Sequence, residues 1–94
     1  MKVDIVVTRH PATVELLREN GIDVDNAKVV THTTSDEVRG KVVAGVLPLS
    51  LASECKAVIV ADLKLSSDDR GKELNLDELR KRFIGLSIYK VNKI

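Results

Sequence analysis

Apolar and polar positions alternate in blocks along this chain rather than residue by residue. Lys2 to Val7 is β-branched apart from Lys2 and Asp4. A run of this kind, ending at polar residues, reads as a strand of a sheet covered on both faces. The turn Thr8 to Pro11 then opens a helix. Pro11 suits its first position, where a missing N–H costs nothing, and Val14, Leu16 and Leu17 form an apolar stripe that Asn20-Gly21 ends. A turn through Ile22-Asp23-Val24-Asp25-Asn26 leads to a second short strand, Lys28 to Thr31, and the polar string His32 to Asp36 reads as a surface loop.

The strand-turn-helix unit recurs. After the Arg39-Gly40 turn, Lys41 to Leu47 predicts a third strand, and Pro48 begins a second helix through Leu51, Ala52 and Cys55. Ala57 to Leu65 predicts a fourth strand, and Ser66 to Gly71 a polar loop. Asn75 caps a helix through Leu76, Leu79 and Phe83, with Asp77 and Glu78 in its first turn, and Ile84 to Val91 alternates as a last strand. Strands alternating with short helices predict an α/β fold, a minimal Rossmann-like, open, mostly parallel sheet of about five strands with flanking helices. In such sheets ligands sit beyond the carboxyl ends of the strands. Three polar clusters fall there: Thr8-Arg9-His10, Pro48 to Ser50, and Asp62 to Arg70.

Length and composition narrow the function classes. The 94 residues predict one domain, 1–94, because a second core would need roughly 50 more residues. A chain of this size buries only about 60 to 65% of its extended surface, so a homodimer is expected. Fifteen Lys and Arg against 14 Asp and Glu leave a net charge of +1, which argues against duplex nucleic acid as a partner. Phe83 and Tyr89 are the only aromatic residues, so the stacking platforms of single-strand binders are missing. The lone Cys55 offers neither an intrachain disulfide nor a zinc ligand set, which points to a reducing compartment. Met1-Lys2-Val3-Asp4 suits neither a signal peptide nor a membrane span of about 20 apolar residues. A cytoplasmic protein with no membrane partner is expected.

Thr8-Arg9-His10 is the first candidate site. Set between a buried strand and a helix start, it combines main-chain N–H groups and a helix dipole with the forked donor of Arg9 and the proton-exchanging ring of His10. The structural alternative is that Thr8 satisfies the turn, Arg9 makes a surface ion pair and His10 packs on the helix. Arg70, in Arg70-Gly71-Lys72-Glu73-Leu74, offers either a second phosphate contact or a solvated loop. Ser50 reads as a helix cap, and His32, in a Thr-rich loop, as an exposed rather than a catalytic residue.

Several enzyme classes lack support. Neither a Gly-x-Gly-x-x-Gly fingerprint nor a Gly-Lys-Ser/Thr phosphate loop occurs, which removes dinucleotide oxidoreductases and nucleoside triphosphatases. No carboxylate cluster offers a magnesium site, so phosphodiester chemistry here would be metal-independent. The Arg-His pair also resembles the turn of histidine phosphatases. Pro11 replaces their glycine, the chain is about half the length of that fold, and His32 lies on the wrong kind of segment for a second catalytic histidine, so that family is rejected.

Four motifs in order, Val6-Val7-Thr8-Arg9-His10-Pro11, Gly21-Ile22, Val46-Leu47-Pro48-Leu49-Ser50-Leu51-Ala52 and Arg70-Gly71-Lys72-Glu73-Leu74, resemble a small family of CRISPR-associated proteins of type III loci. The resemblance runs nearly end to end. It implies a minimal relative of the domains that sense cyclic oligoadenylate, acting as a ring nuclease that opens cyclic tetra-adenylate and switches off the antiviral signal. In the implied mechanism a ribose 2′-hydroxyl attacks the neighbouring phosphodiester and leaves a 2′,3′-cyclic phosphate. Arg9 and the Thr8 to Pro11 amides would hold the scissile phosphate, His10 would protonate the leaving 5′-oxygen, and Arg70 would close over the ring. The implied catalytic residues are therefore His10 and Arg9, and the ligand contacts Thr8, Arg9, Pro11, Ser50 and Arg70, with no metal and no cofactor. A homodimer would present one Thr8-Arg9-His10 turn from each subunit to the near-two-fold ring. Ser50 stands where members often carry histidine and Lys64 where they often carry an acid, which keeps open a protein that binds without cutting. A structural dimer or docking protein is the further alternative.

Overall fold

The apolar runs near the centre of the chain can bury both faces only if other layers lie above and below them, and the computed structural model, which describes residues 1–69 and 71–94, has that arrangement. Strands β1 (Ile5–Val7), β2 (Lys28–Val30), β3 (Val42–Ala44), β4 (Ala57–Leu63) and β5 (Phe83–Tyr89) form one sheet in the order β2-β1-β3-β4-β5. The first four run parallel, and β5 returns antiparallel to β4. Helices α1 (Thr13–Glu19), α2 (Ser35–Val38), α3 (Leu49–Ala52) and α4 (Leu76–Arg82) flank the sheet. The expected open, mostly parallel α/β sheet of five strands is what forms. Among the described residues, no helix is long and apolar enough to cross a membrane.

Side-chain alternation along each strand splits the core into two layers. Val6, Ala44 and Ile59 pack with Leu17 of α1 on one face, and Ile5, Val43 and Val58 pack with Val38 of α2 and Ala52 of α3 on the other. A third cluster, Leu16, Leu74 and Leu79, joins α1 to α4. Each fully buried Leu or Ile here contributes about 1.5–3 kcal/mol of transfer free energy.

Several elements are shorter than the residue pattern predicts, each for a local reason. The run Lys2 to Val7 is broken at Asp4, whose carboxylate takes the Val42 N–H at 2.9 Å, and only the isolated Lys2–Asp23 bridge precedes β1 proper. α1 starts at Thr13 rather than Pro11, because Thr13 and Val14 donate to the His10 and Pro11 carbonyls in a tighter turn. Pro48 is extended (ψ 146°) and caps α3 instead of beginning it, and no side chain closes that helix start, so Ser50 is not a cap. The expected loop His32 to Asp36 runs into α2. Thr34 accepts the Glu37 N–H there, and Val38 plugs the core with no exposed surface. The Asn75 cap is present, reinforced by the reciprocal Glu78 bond of a capping box.

The loop after β4 is fastened by one ion pair. Asp69, 7% exposed, accepts Arg82 Nε and Nη2 at 2.8 Å each and the Ser66 N–H at 3.0 Å. Arg82 in turn donates to the Glu78 carbonyl. The Arg82 guanidinium, helped by the Ser66 amide, holds the Asp69 carboxyl well below the usual carboxylate range. A depressed folded value contributes stability above the unfolded value of about 3.9, and that contribution is lost as pH falls below it. Thermal melts from pH 7 to pH 2 are therefore expected to show a steeper acid loss in the wild type than in Asp69→Asn, which is less stable at pH 7 and flatter in acid.

Candidate functional site

The order β2-β1-β3 places β1 where the winding of the sheet reverses: the chain leaves β1 toward one edge for β2 and returns to its other side for β3. At such a switch point the loops after the two neighbouring strands part, and a crevice opens beyond their carboxyl ends. A cleft of about 620 Å³ lies there. Thr8, Arg9 and His10 from the end of β1, Thr31, His32 and Thr33 from the end of β2, and Gly45 to Pro48 after β3 form its mouth. Leu16, Leu17, Ala44 and Ile59 form its apolar floor. That volume lies within the roughly 300–1,000 Å³ of small-molecule sites.

Gly45 is what brings two of these loops together. Its φ is +144°, and a Cβ there would lie 2.4 Å from the Val7 carbonyl oxygen. Only glycine permits that approach. Its N–H donates to the Ile59 carbonyl at 2.9 Å, so β3 bends at this point without leaving the sheet.

The Thr8 turn is closed on itself. Thr8 Oγ1 accepts the His10 N–H at 3.0 Å and lies 3.1 Å from both the Thr13 hydroxyl and the His10 carbonyl oxygen. The Thr8 N–H donates to the Val30 carbonyl at 2.9 Å. Of the Thr8 to Pro11 amides expected to hold a phosphate, two are spent in this way and proline has none. The Arg9 N–H is the one left unengaged among the described residues.

Arg9 is exposed and forms no ion pair among the described residues, so the surface ion pair weighed above for it does not form. His10 is half-buried, and its Nδ1 accepts the Leu74 N–H at 3.1 Å. A nitrogen that accepts carries no proton, so the neutral ring bears its hydrogen on Nε2. The His10 edge of the site is thus a hydrogen-bond donor, anchored to a residue 64 positions away.

The remaining expected contacts divide. Pro11 lies off the cleft, in an adjoining groove with Thr8, Arg9, Thr31 and His32. Ser50 is exposed on α3 and does not line the cleft, which takes Pro48 and Leu51 from that segment instead. Arg70 lies outside the described residues. Of its motif, Leu74 proves to matter, through its buried side chain and its amide on His10. His32 is exposed as expected, yet it also lines both the cleft and the adjoining groove. Beside it, Thr33 Oγ1 is buried without a hydrogen-bond partner among the described residues. Neither Gly45 nor His32 carries a local signal, because each reaches the site only through strand order. Among the described residues, no three His, Cys, Asp or Glu side chains gather to hold a metal ion.

The family model described as "Putative CRISPR-associated protein (Cas_VVA1548)" matches residues 5–92, from the first residue of β1 to just beyond β5. The chain belongs to this CRISPR-associated family. Neither the curated proteins nor the solved structures yield a match. In this CRISPR-associated protein, then, the matched span includes every residue of the cleft mouth.

Three variants separate scaffold from site by urea denaturation. Arg9→Ala is expected to leave stability within about 0.5 kcal/mol, as for an exposed residue without partners. His10→Ala strands the Leu74 N–H and is expected to cost about 1–3 kcal/mol. Gly45→Ala forces a clash in a glycine-only conformation and is expected to cost a similar 1–3 kcal/mol or more.

Proposed function

We propose that this CRISPR-associated protein is a ring nuclease that binds cyclic tetra-adenylate at the cleft and opens it without a metal, ending the antiviral signal. One observation carries the reading. The Arg9 guanidinium, without an ion-pair partner among the described residues, follows β1 next to His10, whose donor sits on Nε2, at the mouth of a switch-point cleft. A fork of N–H donors beside a fixed neutral donor suits a phosphodiester, which offers acceptors and carries one negative charge. Membership of a CRISPR-associated family supports a ligand drawn from CRISPR signalling.

In this reading Arg9 grips the non-bridging oxygens of the scissile phosphate and neutralises the charge that builds on them. His10 directs its Nε2–H at the leaving 5′-oxygen. With Nδ1 accepting the Leu74 N–H, His10 stabilises that oxygen by hydrogen bonding from Nε2, and water supplies the proton it finally takes. A second copy related by a two-fold axis would bring a matching turn to the opposite side of the ring. The exposed apolar side chains that line the cleft, Val46 and Leu65, support a covered mouth.

The hydrogen bond to Nδ1 also favours a second reading. A histidine held as a donor is a binding group, and a protein equipped only with donors would sequester cyclic oligoadenylate without cutting it.

Incubation with cyclic tetra-adenylate in EDTA, with products separated and a parallel gel shift, tests these readings. Linear adenylates ending in a 2′,3′-cyclic phosphate are expected. Arg9→Ala is expected to reduce both binding and turnover by at least about tenfold, the weight of one charge-assisted hydrogen bond. His10→Ala is expected to lower turnover more than affinity. A shift without product would make the protein a sponge, and neither shift nor product would leave a structural or docking role.

A further inference from the structure

The chain has two histidines, His10 near its start and His32 after β2, and both line the same cleft. They arrive there by different routes, one from each of two neighbouring parallel strands. Their states differ. The single lone pair of a neutral imidazole is occupied in His10 by the Leu74 N–H, whereas the His32 ring is exposed and has no hydrogen-bond partner among the described residues. The rest of the described lining offers no Asp, Glu, Lys, Tyr or Cys side chain. Arg9 has no lone pair to give, and threonine hydroxyls are weak bases. Attack by a ribose hydroxyl requires a group that removes its proton. By elimination over the cleft wall, one side chain remains that can accept it.

We propose that His32 is the general base of this site, a catalytic residue that takes the proton of the attacking 2′-hydroxyl. This assignment rests on the ring-nuclease reading above. The 2′-oxygen forms a bond to phosphorus as its proton passes to the free imidazole nitrogen of His32. The bond from phosphorus to the 5′-oxygen breaks, and that oxygen takes a proton from water while Arg9 and the His10 Nε2–H hold the charge. The hydroxide so formed is neutralised by the proton on His32, which returns the ring to its starting form. The strand gains a 2′,3′-cyclic phosphate and a 5′-hydroxyl with no atom added or lost. His32 also lies where the cleft meets the groove containing Thr8, Arg9 and Pro11. Arg9 borders both spaces as well, so a phosphodiester seated on it lies at the same junction as His32.

The test is single-turnover opening of cyclic tetra-adenylate by the wild-type chain, His32→Ala and His32→Gln, with dissociation constants measured in parallel and imidazole added to His32→Ala. Because the His32 side chain is exposed, both variants are expected to fold with unchanged circular dichroism. Loss of a general base lowers the rate by roughly 100-fold or more. That loss, with affinity held within a few-fold and with partial rescue by imidazole, is the expected result. Wild-type rates in His32→Ala would overturn the assignment and leave the ring-nuclease reading standing. Equal losses of rate and affinity without rescue would make His32 a binding group and overturn it as well. Failure of the wild type to open the ring would remove the ring-nuclease reading itself, and this assignment with it.

Discussion

Strand β1 is hydrogen-bonded along both edges, to β2 and to β3, and its side chains are packed into a layer on either face. A strand enclosed in this way has one free direction, along its own axis. Whatever follows Val7 must emerge beyond the carboxyl end of the sheet, at the point where the two neighbouring connections diverge. The position of the Thr8-Arg9-His10 turn is thus a consequence of burial rather than of the turn's own chemistry. The same enclosure explains the close approach of Gly45 to the Val7 carbonyl, since Val7 and Gly45 follow directly on the paired residues Val6 and Ala44.

Within the turn, most hydrogen-bonding capacity serves the backbone. Thr8 and the His10 amide hold each other, and the Thr8 N–H extends the ladder to Val30. A turn so occupied is rigid, and rigidity is what a recognition group needs if little ordering entropy is to be lost when a ligand arrives. The groups left over are the Arg9 side chain and the far side of the His10 ring. Leu74 completes this division. It belongs by its side chain to the Leu16–Leu79 cluster and by its amide to His10, so packing of α4 against α1 and orientation of the imidazole are one event.

Charge follows the same economy. Arg18, Arg39, Arg80 and Arg82 are each paired with acidic neighbours, and Arg80 bridges α4 to Glu19 of α1. Arg9 stands apart from these pairings among the described residues, where the topology opens a cleft. Near-neutral overall composition therefore coexists with a localised cationic group. That is the arrangement expected for a small framed anion rather than for a long nucleic-acid track.

Much of the fold was legible in the residues alone, because its signals are local. β-Branched runs mark strands buried on both faces, Asn20-Gly21 ends α1, and Asn75 with Glu78 starts α4. The Arg-His turn after the first strand was legible as a candidate site for the same reason. The sequence by itself thus determined the α/β class, the strand count and membership of a CRISPR-associated family. Tertiary structure alone decided what depends on residues far apart in the chain. Asp4 breaks its strand by capturing an amide 38 positions away, and Leu74 selects the His10 tautomer from 64 positions away. α2 is too short for helical periodicity to show, and Val38 forms it by plugging the core. Strand order brings His32 to the cleft that holds His10 and leaves Ser50 outside it. A local pattern records which face a residue must bury, whereas the company it keeps is set by the order in which strands pair.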